Sequence, residues 1–181
     1  MENEKAISLK PLHEANVGDI VTLYQQNRSF LAPYEPTRSV VYFTEPGQLE
    51  IQQKAQDLWL NDTAYTFVIC ESATGELVGR VTLSNVARGA WQSCTIGYFI
   101  SEKVNGRGYA TEAVRLAVDF AFSQAGLHRV QAAIMPRNER SIRVIKKAGF
   151  IREGLARYYL NIHDVWEDHE IFSITRENWP L

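Results

Sequence analysis

Apolar and polar residues alternate over positions 7–12, the period of a half-buried edge strand. From 14 to 26 the spacing lengthens, and Val17, Ile20, Val21 and Tyr24 recur at helical steps. Positions 31–47 hold Pro33, Pro36 and Pro46 and read as a loop or broken helix, whereas 49–60 returns to a helical pattern. The aromatics in and just before that loop, Phe30, Tyr34, Tyr42 and Phe43, either line a cleft or anchor the loop. Two β-rich runs, 65–71 and 77–84, flank Ser72-Ala73-Thr74-Gly75-Glu76, a hairpin signature, and a third strand follows over 91–100.

The segment 109–124 carries a stripe of Glu112, Arg115, Asp119 and Ser123 and is nearly all apolar elsewhere, which predicts a helix buried around most of its circumference. Gly126 ends it. A strand over 129–134, a helix over 139–148 stopped by Gly149, and strands near 154–161 and 165–175 complete the chain. The order predicts one α/β domain over 1–181, with a core of about 7–177. Its sheet is mixed but mostly antiparallel, with about six or seven strands and about four flanking helices.

Composition narrows the classes of function. With 181 residues, 45% of them hydrophobic and 22% charged, the chain can bury a core without disulfides or metals. A net charge of -2 gives no general attraction to nucleic acid or anionic membrane, so direct binding to either is not expected. Met1-Glu2-Asn3-Glu4-Lys5 is not a signal sequence and no apolar run is long enough to span a bilayer, so the expected location is cytoplasmic. Cys70 and Cys94 lie in strand-like segments and match no metal spacing, which reads as reduced thiols. Ligand-type residues crowd at His163-Asp164 and Glu167-Asp168-His169-Glu170, yet strand alternation lets only pairs such as Glu167 and His169 share a face. No metal site is expected.

The segment with chemical content is Lys103-Val104-Asn105-Gly106-Arg107-Gly108-Tyr109-Ala110-Thr111-Glu112-Ala113, between a strand and the buried helix. Two glycines allow close approach of a ligand, and a helix N-terminus offers unpaired N–H groups and a positive dipole end, which suits a phosphate or pyrophosphate. A Walker loop would need Lys and Ser or Thr after its last glycine, where Tyr109 stands. A dinucleotide loop would need Gly or Ala where Thr111 stands, and usually opens the first βαβ unit. Taken alone, the segment is equally a glycine-rich turn.

Met135-Pro136-Arg137-Asn138-Glu139-Arg140-Ser141 and Gly149-Phe150 lie downstream. The two segments together resemble the GNAT acetyltransferases, whose pyrophosphate pattern Arg/Gln-x-x-Gly-x-Gly/Ala is met here with Lys103 in the first place. The resemblance extends over essentially the whole chain. Gly149-Phe150, Tyr158-Tyr159-Leu160, Trp166-x-Asp168-His169 and Asn178-Trp179 look most like the ribosomal-protein-alanine N-acetyltransferases.

That resemblance implies a co-substrate, acetyl-CoA, and an acceptor, the N-terminal α-amine of a protein, possible ribosomal targets included. A small amine such as a polyamine or aminoglycoside is the alternative acceptor, and a non-catalytic acetyl-CoA sensor is the alternative from another class. It implies backbone contacts to the pyrophosphate from Lys103, Val104, Asn105, Gly106, Arg107, Gly108, Tyr109 and Ala110. Phe99 and Ile100 would hold the pantetheine arm in a gap where the sheet splays before Arg129. Asn138 would reach the same arm, or cap its helix, or both. Arg140, Arg143, Lys146 and Lys147 make a basic helix that would meet the CoA 3′-phosphate or ribosomal RNA, with a solvated face the plainer reading for Lys146 and Lys147. Ser141 takes the place of a general acid, with Tyr158 and Tyr159 as competitors. Many relatives carry a glutamate base on the strand before the loop, but residues 91–98 hold no carboxylate. An α-amine titrates near ~7.8 and lysine near ~10.4, so near neutral pH roughly a quarter of the former but about a thousandth of the latter is ready to attack. A weak or water-relayed base therefore suits an N-terminus better than a lysine. Homodimers are common in this subfamily; the sequence itself does not specify an oligomeric state.

Overall fold

The computed structural model describes residues 5–180, so most of the charged N-terminal run lies outside the described residues. The strands are β1 (Ile7–Pro11), β2 (Tyr65–Glu71), β3 (Leu77–Ala87), β4 (Ser93–Ile100), β5 (Arg129–Ile134), β6 (Ile151–Ile162) and β7 (Val165–Thr175). The α-helices are α1 (Val17–Leu31), α2 (Glu45–Leu60), α3 (Tyr109–Ser123) and α4 (Glu139–Lys147). One seven-stranded sheet runs β1-β2-β3-β4-β5-β7-β6. Every neighbouring pair is antiparallel except β4 and β5.

That parallel pair decides where a ligand can enter. β4 and β5 are in register only at Ser93–Arg129, Cys94–Val130 and Thr95–Gln131. Beyond Thr95 the strands diverge, although β4 continues to Ile100 and stays paired with β3. The splay expected before Arg129 is therefore present.

Two apolar cores hold the sheet. On one face, Ala113, Val114, Ala117, Val118 and Ala121 of α3 pack with Ile96, Ile100, Val130, Phe172 and Ile174. On the other, Ile20 and Tyr24 of α1 and Ala55 of α2 pack with Leu12 and Val68, with Phe99 against them. The predicted polar stripe of α3 is thus its outer face. Burial pushes the Cys94 thiol up to about 12 and raises that of Cys70, so neither is a ready nucleophile.

Helix ends depart from the sequence pattern for local reasons. α1 runs past residue 26 to Leu31 because Asn27, a polar residue that interrupts the apolar period, is buried and fully used. Its Nδ2 donates to the Leu23 carbonyl and Ser101 Oγ, and its Oδ1 accepts from the Glu102 N–H. α2 starts at Glu45 rather than 49, because Thr44 caps it and Pro46 stands in the first turn, where a missing N–H costs nothing. β6 starts at Ile151 and bulges between Ala156 and Leu160.

Gly79 of β3 lies opposite Ile100, and a Cβ there would sit 2.3 Å from the Phe99 carbonyl oxygen and 3.0 Å from Ile100 Cδ1. A backbone oxygen in a paired strand cannot swing aside. Gly79→Ala should lower stability by about 1–3 kcal/mol, the usual cost of overpacking. Urea denaturation checks this, and an unmoved midpoint would mean that the β3–β4 pair yields freely.

Candidate active site

The splay opens a cavity of about 380 Å³, bounded by residues 96–100 of β4 and by Ala132 to Met135. The edge of β4 that faces β5 has lost its ladder partner there, so backbone groups are left for an extended ligand to pair with. Phe99 and Ile100 both border this space. The end of α1 and the turn after it contribute Phe30, Tyr34 and Glu35; α4 contributes Asn138 and Ser141; β7 contributes His169. Of the four loop aromatics, Phe30 and Tyr34 line the cleft, while Tyr42 and Phe43 anchor the loop against the α1–α2 core.

A second cavity of about 490 Å³ adjoins the first through Ile100, Asn105, Ala110, Arg140 and Val144. Its floor is the glycine loop. Gly106 and Gly108 have φ of +82° and +84°, a region costly for other residues, and a Cβ on either would meet nothing within 4 Å. The other three α-helices are capped by Asn16, Thr44 and Asn138, but Gly108 gives α3 no side-chain cap. The first helical bond is the Glu112 N–H to the Gly108 carbonyl. The N–H groups of Tyr109, Ala110 and Thr111 are therefore left at the cavity with the helix dipole behind them. Arg140, Arg143 and Lys147 line the same cavity, which places three cations around an anion-binding helix end. An uncapped helix end, open space above both glycines and three cations fit a pyrophosphate with its neighbouring phosphate.

Glu71, at the end of β2, holds the loop in place. Its carboxylate accepts from Tyr109 Oη at 2.8 Å and pairs with Arg107 at 3.3 Å. The Tyr109 hydrogen bond, with Thr74 and the two nearby cations, draws its pKa down. Lys103 is paired with Glu76, and the Val104 side chain is buried in the core. Of the loop residues named from the sequence, Val104, Asn105, Gly106, Gly108, Tyr109 and Ala110 thus border the cavities, while Lys103 and Arg107 secure the loop through Glu76 and Glu71.

Ser141 stands in the first turn of α4, beneath the cap made when Asn138 Oδ1 accepts the Ser141 N–H. Its Oγ lies 2.8 Å from Tyr98 Oη, which is also 3.0 Å from the Ser141 carbonyl oxygen. Burial raises the Tyr98 phenol well above the ordinary tyrosine range, so it stays protonated. Tyr158 and Tyr159 do not border the cavity. Tyr158 is 71% exposed in the β6 bulge, with its N–H on Asp168 Oδ1, and the ring of Tyr159 packs 5.3 Å from that of His169.

Three residues of the cleft were not assigned to it from the sequence. Tyr98 reads as core because it alternates with Cys94, Ile96 and Ile100 on one face of β4. Glu35 lies between Pro33 and Pro36, where no period applies; burial raises its carboxyl pKa, opposed by Arg38 at 3.8 Å and by Arg80. In sequence His169 stands out as half of a pair with Glu167 and as part of Trp166-x-Asp168-His169, neither of which points to the cleft. Glu167 in fact pairs with Arg137 at 3.1 Å. Among the described residues no cluster of three or more His, Cys, Asp or Glu is placed to hold a metal, and no helix is long and apolar enough to cross a membrane.

Comparison with known proteins gives the family and the shared fold. Residues 7–151 match the model of the acetyltransferase (GNAT) domain. The probable N-acetyltransferase YjcK of Bacillus subtilis is 41% identical over 94% of each chain. The ribosomal-protein-S5-alanine acetyltransferase of Vibrio fischeri is 31% identical and superimposes with a TM-score of 0.88, covering 99% of this chain and 98% of that one. RimJ of Mycobacterium smegmatis, solved in complex with CoA-disulfide, is 30% identical with a TM-score of 0.88, covering 97% of this chain and 84% of its own.

Proposed function

The chain belongs to the GNAT acetyltransferases, which use acetyl-CoA, and from that premise we propose that its acceptor is the N-terminal α-amine of a protein, with ribosomal proteins the first to try. The observation that carries this reading is the charge of the cleft. Among the residues lining its 380 Å³ there is one carboxylate, Glu35, and the remainder are largely apolar. A polyamine with several ammonium groups would leave most of them unpaired there, at a desolvation cost that a single-amine terminus avoids. The S5-alanine acetyltransferase likeness points the same way.

Acetyl-CoA supplies the activated thioester. The chain supplies position and protons. Tyr109, Ala110 and Thr111 N–H groups with Arg140, Arg143 and Lys147 hold the phosphates, and the free edge of β4 takes the extended arm beside Phe99 and Ile100. At the far end the Tyr98–Ser141 pair holds a proton for the leaving sulfur, whose thiol ordinarily titrates near ~8.5.

The acceptor reading has a direct test in matched peptides. A peptide with a free N-terminus and no lysine should be acetylated at least about tenfold faster, at pH 7, than the same peptide with a blocked N-terminus and one lysine. The neutral-amine fractions alone differ by about two orders of magnitude. Equal rates, or turnover of spermidine in preference to both, would contradict it.

A further inference from the structure

β4 offers no carboxylate to take the acceptor's proton, but the cleft has a histidine that the reaction as described leaves unused. His169 is 3% exposed and borders the 380 Å³ cavity. On β7 the side chains of Phe172 and Ile174 enter the α3 core, so alternation turns His169 to the other face of the sheet. That is the face on which Phe99 meets α1, and the turn after α1 brings Tyr34 and Glu35 to the same cavity.

The ring is held in one orientation. Its Nδ1 is 3.0 Å from the Glu167 carbonyl oxygen. A carbonyl only accepts, so Nδ1 carries a hydrogen and the neutral ring keeps its lone pair on Nε2. Nε2 makes no hydrogen bond among the described residues. Nor is it sealed away, since among the described residues the buried side-chain polar atoms without a partner are His13 Nδ1 and Gln48 Oε1. The Tyr159 ring packs on the imidazole at 5.3 Å. Glu167, whose carbonyl fixes Nδ1, is tied by Arg137, which also donates to the Pro33 carbonyl at 2.9 Å and so joins β7 to the turn that carries Glu35.

We infer that His169 is the general base of acetyl transfer, with Nε2 accepting the proton that the acceptor amine loses. As the nitrogen lone pair forms the N–C bond, that nitrogen gives one proton to Nε2. The C–S bond breaks with its electron pair on sulfur, and the sulfur takes one proton from the Tyr98–Ser141 pair. The imidazolium then returns its proton to solvent through the open cleft, and Tyr98–Ser141 regains its own. This role rests on the proposed transfer to a primary amine, whichever amine that is. Glu35 is the rival for the part, with its carboxylate already facing Arg38.

His169→Asn isolates the function of Nε2, because the asparagine amide can still donate to the Glu167 carbonyl while the second ring nitrogen is lost. Steady-state rates, CoA calorimetry and thermal melting would be measured on the full chain for wild type, His169→Asn, His169→Ala and Glu35→Gln. The acceptor is whichever member of a peptide and spermidine panel the wild type uses. A wrong acceptor class then shows in the wild type and a wrong base in the variants. His169→Asn should lower kcat roughly 10²–10³-fold, a common size for general-base loss, with CoA affinity within about twofold of wild type. His169→Ala should show a similar loss that added imidazole partly restores. A kcat for folded His169→Asn within about threefold of wild type would overturn the assignment. So would a matching fall in CoA affinity, or a loss confined to Glu35→Gln.

Discussion

A folded Gly108→Val variant should bind acetyl-CoA at least about a hundredfold more weakly than the wild type. Two effects act together. At φ +84° a β-branched residue is strained by about 1–2 kcal/mol in the left-handed region, so the loop shifts or the helix start unwinds. The new side chain also enters the space above the uncapped N–H groups of Tyr109, Ala110 and Thr111, where at present a Cβ would touch nothing within 4 Å. Because that space is empty, the substitution should spare the core and the fold, and the loss should fall on the ligand. Gly108→Ala separates the two effects, since it keeps most of the strain but little of the bulk, and it should show an intermediate loss. Calorimetry giving wild-type affinity for folded Gly108→Val would mean that the phosphates bind elsewhere.

The proton donor to the leaving thiolate gives the second large effect. Tyr98→Phe and Ser141→Ala should each lower kcat by roughly 100-fold, the lower end of the range for lost general-acid catalysis, with CoA affinity nearly unchanged. Their hydroxyls are 2.8 Å apart and Tyr98 is also bonded to the Ser141 carbonyl, so they work as one unit. The double variant should therefore be little worse than the worse single one, as expected of residues that share a function. A serine hydroxyl by itself is a poor acid. Burial keeps the phenol behind it protonated, and its one hydrogen, which points to the Ser141 carbonyl, has to turn to Oγ for Tyr98 to pass a proton on through Ser141. If kcat survives in both variants but collapses in Tyr158→Phe or Tyr159→Phe, the donor lies on β6 and the Tyr98–Ser141 pair is structural.

The elements were legible where a period is strong. β2, β5 and β7 have the predicted bounds, and α3 differs by one residue at its end; the apolar positions of α3 face a single core, and β2 is a continuous apolar run buried on both faces. Legibility failed where a polar residue is buried for local reasons, as with Asn27 in α1, or where proline and glycine begin a helix, as in α2. The glycine loop and the Asn138 turn were legible as motifs because each is a short run of contiguous residues at a helix start. The acceptor side was not. Tyr98, Glu35 and His169 come from β4, a proline-flanked turn and β7, far apart in the chain, and only the splay between β4 and β5 brings them to one cavity. A tyrosine in a buried strand looks like packing until the sheet is seen to open beside it. The basic helix shows the same limit, since Lys147 reads as solvated in sequence but lines the cavity above the glycine loop.

The most direct test of acetyl transfer to a protein N-terminus is to locate the acetyl group. The protein would be incubated with acetyl-CoA and unmodified ribosomal proteins, and the products fragmented in a mass spectrometer. The expected result is thiol release matched by acetylation of the α-amine of one or a few proteins, lost in Gly108→Val. Acetyl groups found only on lysine side chains, or thiol release driven by a polyamine with the proteins unmodified, would contradict it.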